Sequence, residues 1–511
     1  MKCPPKKNII PKKGSGFFMI DKLISIKNYS KFKNFNTSIS DWDGVFKKTN
    51  VIYAPNGSGK TSLAVLFNSL SGNNELVLKK KSLGTDYFPE IKFLSSRKEV
   101  KYVNKKWNTF IPNIEVFDSF YMEENIYTII VEDKVNKLNI FEYSHADEII
   151  GIKKEIFIIK KRRTKLSKNI KGIKTGIKKG RISADERIKN ILDQRITERG
   201  ACETKIRELE RKRLLLTQQS RNDYITYINK YLSMFCDNIS ITDIKTATSD
   251  QKQHLIYSIN INNYNISLEE RGDLSLKYCL SEGDKNALSL SFFLARFDLL
   301  PNIKDYIVVI DDPFTSFDSQ RKTTTITQLS CLATKVSQFF LLTHDLHFAN
   351  DFNNCYNNDQ ILNLKIAPYT YNKGFEQTSI LCSHDIKFEM LNGFNKDLMT
   401  LRRFYTSPKE DPLYLREVIR CIRPSIEGIF RIKYYSYAKD QEWLGDFIDK
   451  IRKCDNSSPF YRLKDYLDEI EEINDYSKQY HHSNPSYMEV DISLLELKNY
   501  VKRTLQLIEK I

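Results

Sequence analysis

The first part of the chain alternates short apolar runs with turns. FFMIDKLISIKNY (17–29) and NVIYAP (50–55) have the length and β-branched content of strands, and TSLAVLFNSL (61–70) has the spacing of a helix that follows directly. From 146 to 222 the pattern changes. Proline is absent, charge is dense, and apolar residues recur at helical spacing: Ile149, Ile152, Ile156 and Ile159, then Ile188, Ile191, Leu192 and Ile196. This predicts two long helices packed as an antiparallel hairpin, with the turn near Gly172 to Gly180. Strands are expected to resume near Tyr224. YIVVID (306–311) and FFLLTHD (339–345) are continuous apolar runs of the kind buried in a parallel sheet. After about Ser383 the pattern is helical to the end, punctuated by TSPKEDP, DNSSP and HHSNPS. The expected segments are a disordered basic N-terminus (1–16), a lobe at 17–145, the hairpin at 146–223, a second lobe at 224–385 and a helical domain at 386–511.

At roughly 150 residues per domain, 511 residues predict about three domains with large cores. Hydrophobic residues are 41% and aromatics 12%, which excludes a disordered chain. The net charge of +16 favours polyanionic partners such as DNA, RNA or nucleotides. It is concentrated: 151–180 holds twelve Lys/Arg against one Glu. That strip reads first as a solvated face and second as a nucleic-acid contact. Nine cysteines are scattered without a C-x-x-C pair, so no zinc or redox motif is readable, and reduced thiols in a cytoplasmic protein are expected. No apolar run reaches the ~18 residues of a membrane span, so no membrane partner is expected.

Four separated stretches carry candidate chemistry. In YAPNGSGKTSL (53–63) a strand turns sharply into a helix whose N-terminal N–H groups and dipole attract phosphate. Gly57 and Gly59 let the backbone curl and approach closely. Lys60 supplies charge for the β- and γ-phosphates of ATP, and Thr61 supplies a hydroxyl for Mg²⁺. Asn56, Ser58 and Ser62 complete the candidate nucleotide loop. Ala54 stands where such loops have their first glycine and is tolerated if its φ is negative. In YIVVIDDPFTSFD, Asp311 would hold Mg²⁺ and Asp312 sits where a water-activating carboxylate belongs. That acid is usually Glu; the shorter Asp predicts slow or tightly gated hydrolysis. In LSEGDKNALSLSFFLA, Ser281 and Gly283 open a helix able to receive a γ-phosphate. FFLLTHD delivers His344 toward the same phosphate or the attacking water, although a lone histidine is more often structural.

In this order the stretches resemble an ABC-type ATPase head: NGSGKT resembles Walker A, LSEGD the LSGGQ signature, VVIDDP Walker B, SFDSQ the D-loop with Asp318, and LLTHD the switch-histidine loop. Glu282 and Asp284 depart from the signature. The resemblance implies an α/β fold, an ABC-type ATPase head split by a short antiparallel helical hairpin, as in the SMC group, followed by an all-helical (HEPN-like) C-terminal domain. It also implies a head-to-tail dimer in which the signature of one protomer completes the ATP site of its partner. LSEGDKNALSLSFFLA, IDDP and VFDSFYMEENIY narrow the likeness to the branch that contains bacterial anticodon nucleases of the PrrC and RloC type, with PtuA of Septu and retron-linked ATPases as near relatives.

YLREVIRCIRPSIEGIFRIKYY has one apolar face across Pro424, where a kink is expected, and places Arg423 and Glu427 four residues apart on one side. His481 and His482 follow at a helix end. Resemblance to the anticodon nucleases gives Arg423 to phosphate, and Glu427 with His481 or His482 to proton transfer, in metal-free RNA cleavage. An ordinary helix ion pair explains the Arg–Glu spacing equally. Three functions are expected in turn: an antiphage ATPase gating its own tRNA-cleaving RNase; a sensor or assembly subunit controlling a separate effector nuclease or retron complex; and a DNA-end or repair ATPase.

Overall fold

The computed structural model describes residues 19–121, 129–130, 145–183, 185–249, 252–267, 279–300, 302–313, 319–357, 359–371, 376–439, 441–480 and 491–511. The expected tail at 1–16, Asp318, His481 and His482 lie outside the described residues. The chain divides into two compact units, Met1–His384 and Asp385–Ile511.

The first unit opens with β1 (Ile20–Tyr29) and β2 (Phe32–Asn36), then β3 (Thr49–Tyr53), helix α1 (Lys60–Ser69) and helix α2 (Asn74–Lys79). β4 (Glu90–Ser95), β5 (Lys98–Val103), β6 (Lys106–Trp107), β7 (Ile114–Phe117) and β8 (Ile129–Ile130) follow. After the hairpin come β9 (Ile239–Ser249), β10 (Lys252–Ile261) and β11 (Tyr264–Ser267). The unit ends with β12 (Ile307–Asp311), β13 (Gln338–Thr343), β14 (Ile361–Tyr371) and β15 (Glu376–Ser383).

Six strands form the central sheet in the order β15-β14-β3-β13-β12-β7. All neighbours pair in parallel except β14 with the edge strand β15. IVVID and QFFLLT are buried at every position, which is why they read as continuous apolar runs. The register places Asp311 opposite Leu342 and Thr343 opposite Tyr53. The carboxyl ends of β3, β12 and β13 therefore lie level, where parallel sheets place their ligands. An antiparallel sheet β2-β1-β4-β5-β6 packs over the same core. There Phe340 meets Phe46 at 5.0 Å and Phe67 at 4.7 Å between ring centroids. Each such ring contributes about 2 kcal/mol by burial. β10 pairs with β9, β11 and β8 in a third sheet.

The hairpin comprises α3 (Ala146–Lys178) and α4 (Glu186–Phe235). Ile152, Ile156 and Leu209 pack between the arms, and Lys160–Glu210 (2.9 Å) and Lys212–Glu148 (2.6 Å) pair across them. Two sequence expectations shift. α3 runs through Gly172 and Gly176, and the turn begins after Lys178, where Gly180 takes φ +66°; the Asp185 carboxylate then caps Ile188 N–H at the start of α4. Gly176 serves close approach: a Cβ there would meet Ile182 Cδ1 at 2.5 Å. Second, α4 continues through 224–235, where strands were expected. The aromatic and β-branched residues there look like a strand, but Tyr224, Ile228, Tyr231, Leu232 and Phe235 are buried at helical period, and packing overrides propensity.

Helices α5 (Glu282–Leu299), α6 (Ser319–Lys335) and α7 (Leu346–Asn353) complete the first unit. The second unit is helical throughout its described residues: α8 (Ile386–Met390), α9 (Gly393–Thr406), α10 (Pro412–Lys433), α11 (Leu444–Lys453), α12 (Leu467–Lys478) and α13 (Leu494–Lys510). Its core gathers Phe404, Ile419, Ile422, Ile426, Phe430, Phe447, Ile473 and Val501. α10 is one helix through Pro424, whose ring removes a single backbone donor.

Candidate functional site

Ala54 still belongs to the sheet. Its N–H donates to Thr343 O (2.9 Å), its side chain is buried, and it is not among the residues at positive φ. A methyl group is thus accommodated where a glycine is usual. The curl begins after it: Gly57 has φ +77° and Gly59 φ +114°, both costly for any side chain. A Cβ on Gly57 would meet nothing within 4 Å, which leaves a concave backbone open for a phosphate. Asn56 and Gly57 are exposed at the loop apex. Ser58 Oγ is buried without a hydrogen-bond partner, an orphan that a phosphate oxygen would satisfy.

Lys60 begins α1 and is 8% exposed. Its Nζ lies 3.2 Å from Asp311 Oδ1 and also bonds Asp312 Oδ2. The Thr61 hydroxyl stands beside the Asp311 carboxylate and favours its charged form. Burial pushes the Asp311 carboxyl up, against the opposing pull of Lys60. Asp312 holds φ +42°, a left-handed conformation that costs a non-glycine residue about 1 kcal/mol and that Asp tolerates better than most. Three contacts fix it there. Its N–H donates to Leu342 O (2.9 Å), its Oδ1 accepts His344 N–H (3.0 Å), and its Oδ2 lies 2.9 Å from His344 Nδ1. The turn after β12 therefore swings the second carboxylate toward the histidine delivered by β13.

Lys60, Thr61, Asp311, Asp312 and His344 thus meet at the carboxyl ends of three adjacent parallel strands, although 284 positions separate the first from the last (344 − 60). Oxygen donors fit Mg²⁺: the Thr61 hydroxyl and the Asp311 carboxylate would hold it, with the remaining ligands from phosphate and water. Among the described residues no cluster of three or more His, Cys, Asp or Glu side chains offers an alternative metal site.

Ser62, expected beside the nucleotide, turns away. Its Oγ lies 2.7 Å from Ser30 Oγ and its carbonyl accepts the Tyr29 hydroxyl at 2.7 Å. The β1–β2 turn is a support that sequence reading missed. Phe32 would lie 3.1 Å from a Cβ on Gly59, and Ser379 of β15 donates to Ser58 O at 2.7 Å. The repeated serines near these strands carry no motif, so only the fold reveals them.

Ser281 is the exposed N-cap of α5. Its Oγ donates to Asp284 Oδ2 (2.7 Å) and accepts Asp284 N–H (3.2 Å), a reciprocal capping box. Gly283 is buried in the first turn of that helix. Neither residue is joined to the Lys60 cluster by these bonds.

In the second unit, Glu427 is only 2% exposed. Its Oε1 accepts Leu444 N–H at 2.8 Å, at the start of α11, and its Oε2 lies 3.8 Å from Arg431 Nη2. Arg423 is half-buried, with Nε lacking a hydrogen-bond partner. Glu427, expected to work beside Arg423, engages Arg431 and a helix start, because its position on the helix points into the core.

Residues 240–375 match the AAA domain family (AAA_13), a segment that contains Ser281, Asp311, Asp312 and His344. Among solved structures, the Smc head domain with an extended coiled coil bound to the C-terminal domain of ScpA from Pyrococcus furiosus is similar at 13% identity and TM-score 0.45, covering 73% of this chain and 98% of that one. The Smc head domain with a coiled coil and joint from Pyrococcus yayanosii is similar at 11% identity and TM-score 0.41, covering 72% and 98%. No curated protein matches the chain. Among the described residues no helix is long and apolar enough to cross a membrane. The AAA-domain match thus covers the side of the cluster that carries Asp311, Asp312 and His344, while Lys60 and Thr61 come from the loop after β3.

Proposed function

We propose that the chain is an ATP-dependent antiphage-defence ATPase that senses infection and gates a nuclease, its own C-terminal metal-independent RNase acting on tRNA. The observation that carries the ATPase half is the convergence of Lys60, Thr61, Asp311, Asp312 and His344 at one sheet edge. Lys60 would exchange its two carboxylate partners for the β- and γ-phosphates of ATP. That releases the Asp312 carboxylate to accept a proton from the attacking water, while His344, held to Asp312 through its own backbone N–H, orients the water or the γ-phosphate. Mg²⁺ on Thr61 and Asp311 would neutralise phosphate charge. Ser281 of a second protomer would close the site, which makes the working unit a head-to-tail dimer in the cytoplasm. In the HEPN-like second unit Arg423 would hold phosphate, and Glu427 with His481 or His482 would move protons.

One observation favours a second reading, an ATPase sensor subunit that controls a separate effector nuclease or retron complex. Glu427 is buried and already committed to Leu444 and Arg431. A carboxylate spent on a backbone donor is a structural group first.

Sequencing of total-RNA cleavage ends after induction, wild type against Lys60→Ala, separates the readings. The RNase reading expects new tRNA ends in wild type that vanish in Lys60→Ala, and that vanish also in Arg423→Ala. Ends that persist in Arg423→Ala, or appear only when a second protein is present, transfer the nuclease to a partner.

A further inference from the structure

The signature helix α5 has acidic side chains in its first turn, Glu282 and Asp284. Acids there suit the helix dipole, but they oppose a triphosphate arriving at the same N–H groups. Glu282 is 73% exposed and pairs with Lys285 at 2.7 Å, so solvent and a neighbour screen it. Asp284 is different. Its side chain is 22% exposed and its two oxygens have separate roles. Oδ2 accepts from Ser281 N (3.2 Å) and Ser281 Oγ (2.7 Å), which commits the hydroxyl proton a γ-phosphate would need. Oδ1 faces Arg321 Nη2 at 3.4 Å and Cys236 Sγ at 3.6 Å. Burial pushes the Cys236 thiol up to about 12, so it stays protonated and contributes no charge.

Arg321 stands in the first turn of α6, the helix that follows the Walker B strand and its loop. It therefore links the helix meant for the partner's nucleotide to the segment that leaves the protomer's own nucleotide. We propose that Arg321 is a positioning residue of the trans ATP site: by pairing with Asp284 Oδ1 it offsets the carboxylate's charge, while Oδ2 keeps Ser281 at the helix start, so that an acidic signature accepts a triphosphate. This rests on the head-to-tail dimer proposed above. Arg321 acts through Asp284, and the partner class it admits is Mg-ATP held by a second copy of this chain.

The test is sedimentation velocity of the full chain with Mg²⁺ and a non-hydrolysable ATP analogue. Binding of a fluorescent ATP to each protomer is measured in parallel. Wild type is expected to self-associate. Arg321→Ala should weaken that association roughly tenfold or more while leaving protomer nucleotide binding unchanged. Asp284→Asn in the Arg321→Ala background should restore association to about the wild-type level, because the charge to be cancelled is gone. A purely structural role for Arg321 predicts no such rescue. Association of Arg321→Ala equal to wild type, or a double variant no better than Arg321→Ala, overturns the inference. A wild type that stays monomeric with the analogue, and is unaltered by Ser281→Ala, overturns the dimer itself and this inference with it.

Discussion

The two candidate sites invert the relation between sequence distance and chemistry. Lys60, Asp311, Asp312 and His344 are far apart in the chain, yet their side chains converge at the carboxyl ends of β3, β12 and β13. Arg423 and Glu427 are neighbours on one helix, yet Glu427 is drawn into the core and bonded to Leu444 and Arg431. A parallel sheet sets its strand ends level by hydrogen-bond register, so residues at those ends meet whatever lies between them. Spacing on a helix fixes only a direction, and the packing of the other helices decides whether that direction is a cleft or a core.

The largest effect should come from Lys60→Ala. Removing the buried cation takes away phosphate charge stabilisation and leaves Asp311 and Asp312 facing each other. Steady-state ATP hydrolysis should fall by about three orders of magnitude. His344→Ala should lower the hydrolysis rate by roughly a hundredfold with nucleotide affinity nearly intact, seen as a kcat loss without a matching KM change. Equal losses in both would make His344 a binding group and weaken the contrast with the second unit.

Glu427 sharpens the comparison from the other side. Glu427→Ala leaves the Leu444 N–H buried without its acceptor and should cost about 1–3 kcal/mol, measured by denaturant unfolding. Glu427→Gln keeps the acceptor and should cost much less. If Glu427→Gln is as stable as wild type yet abolishes RNA cleavage in cells, the residue is chemical despite its burial.

The smallest effect concerns Asp311. Burial raises its carboxyl above the ordinary 3.8, so the folded state binds that proton more tightly than the unfolded state does. Stability from this group is complete below 3.8 and is lost as pH rises through the higher folded value. Asp311→Asn removes the loss. It should melt slightly higher than wild type at pH 7 and equal to it at low pH, while hydrolysis disappears. Thermal unfolding at both pH values checks this.

Much of the first unit was legible because buried parallel strands announce themselves as apolar runs ending in functional groups: YIVVIDD and FFLLTHD are both strand and site. The sharp turn into α1 was legible because glycine takes the positive φ of Gly57 and Gly59 at the least cost. The helical extension through 224–235 was not, since tyrosines and isoleucines serve either structure until their burial period is known. Nor were Ser30, Ser379 and Arg321, whose positions depend on strands and helices that pair only in the folded chain. The commitment of Glu427 to Leu444 was hidden for the same reason: the acceptor and its donor lie on different helices.

Equilibrium binding of Mg-ATP to the full chain tests the central claim most directly, comparing wild type with Lys60→Ala, Thr61→Ala and Asp311→Asn. A single Lys60-centred site predicts saturable binding of one nucleotide per protomer, lost in Lys60→Ala and stripped of its Mg²⁺ dependence in the other two. Binding of equal affinity in all four proteins would contradict the account, because the nucleotide would then sit elsewhere.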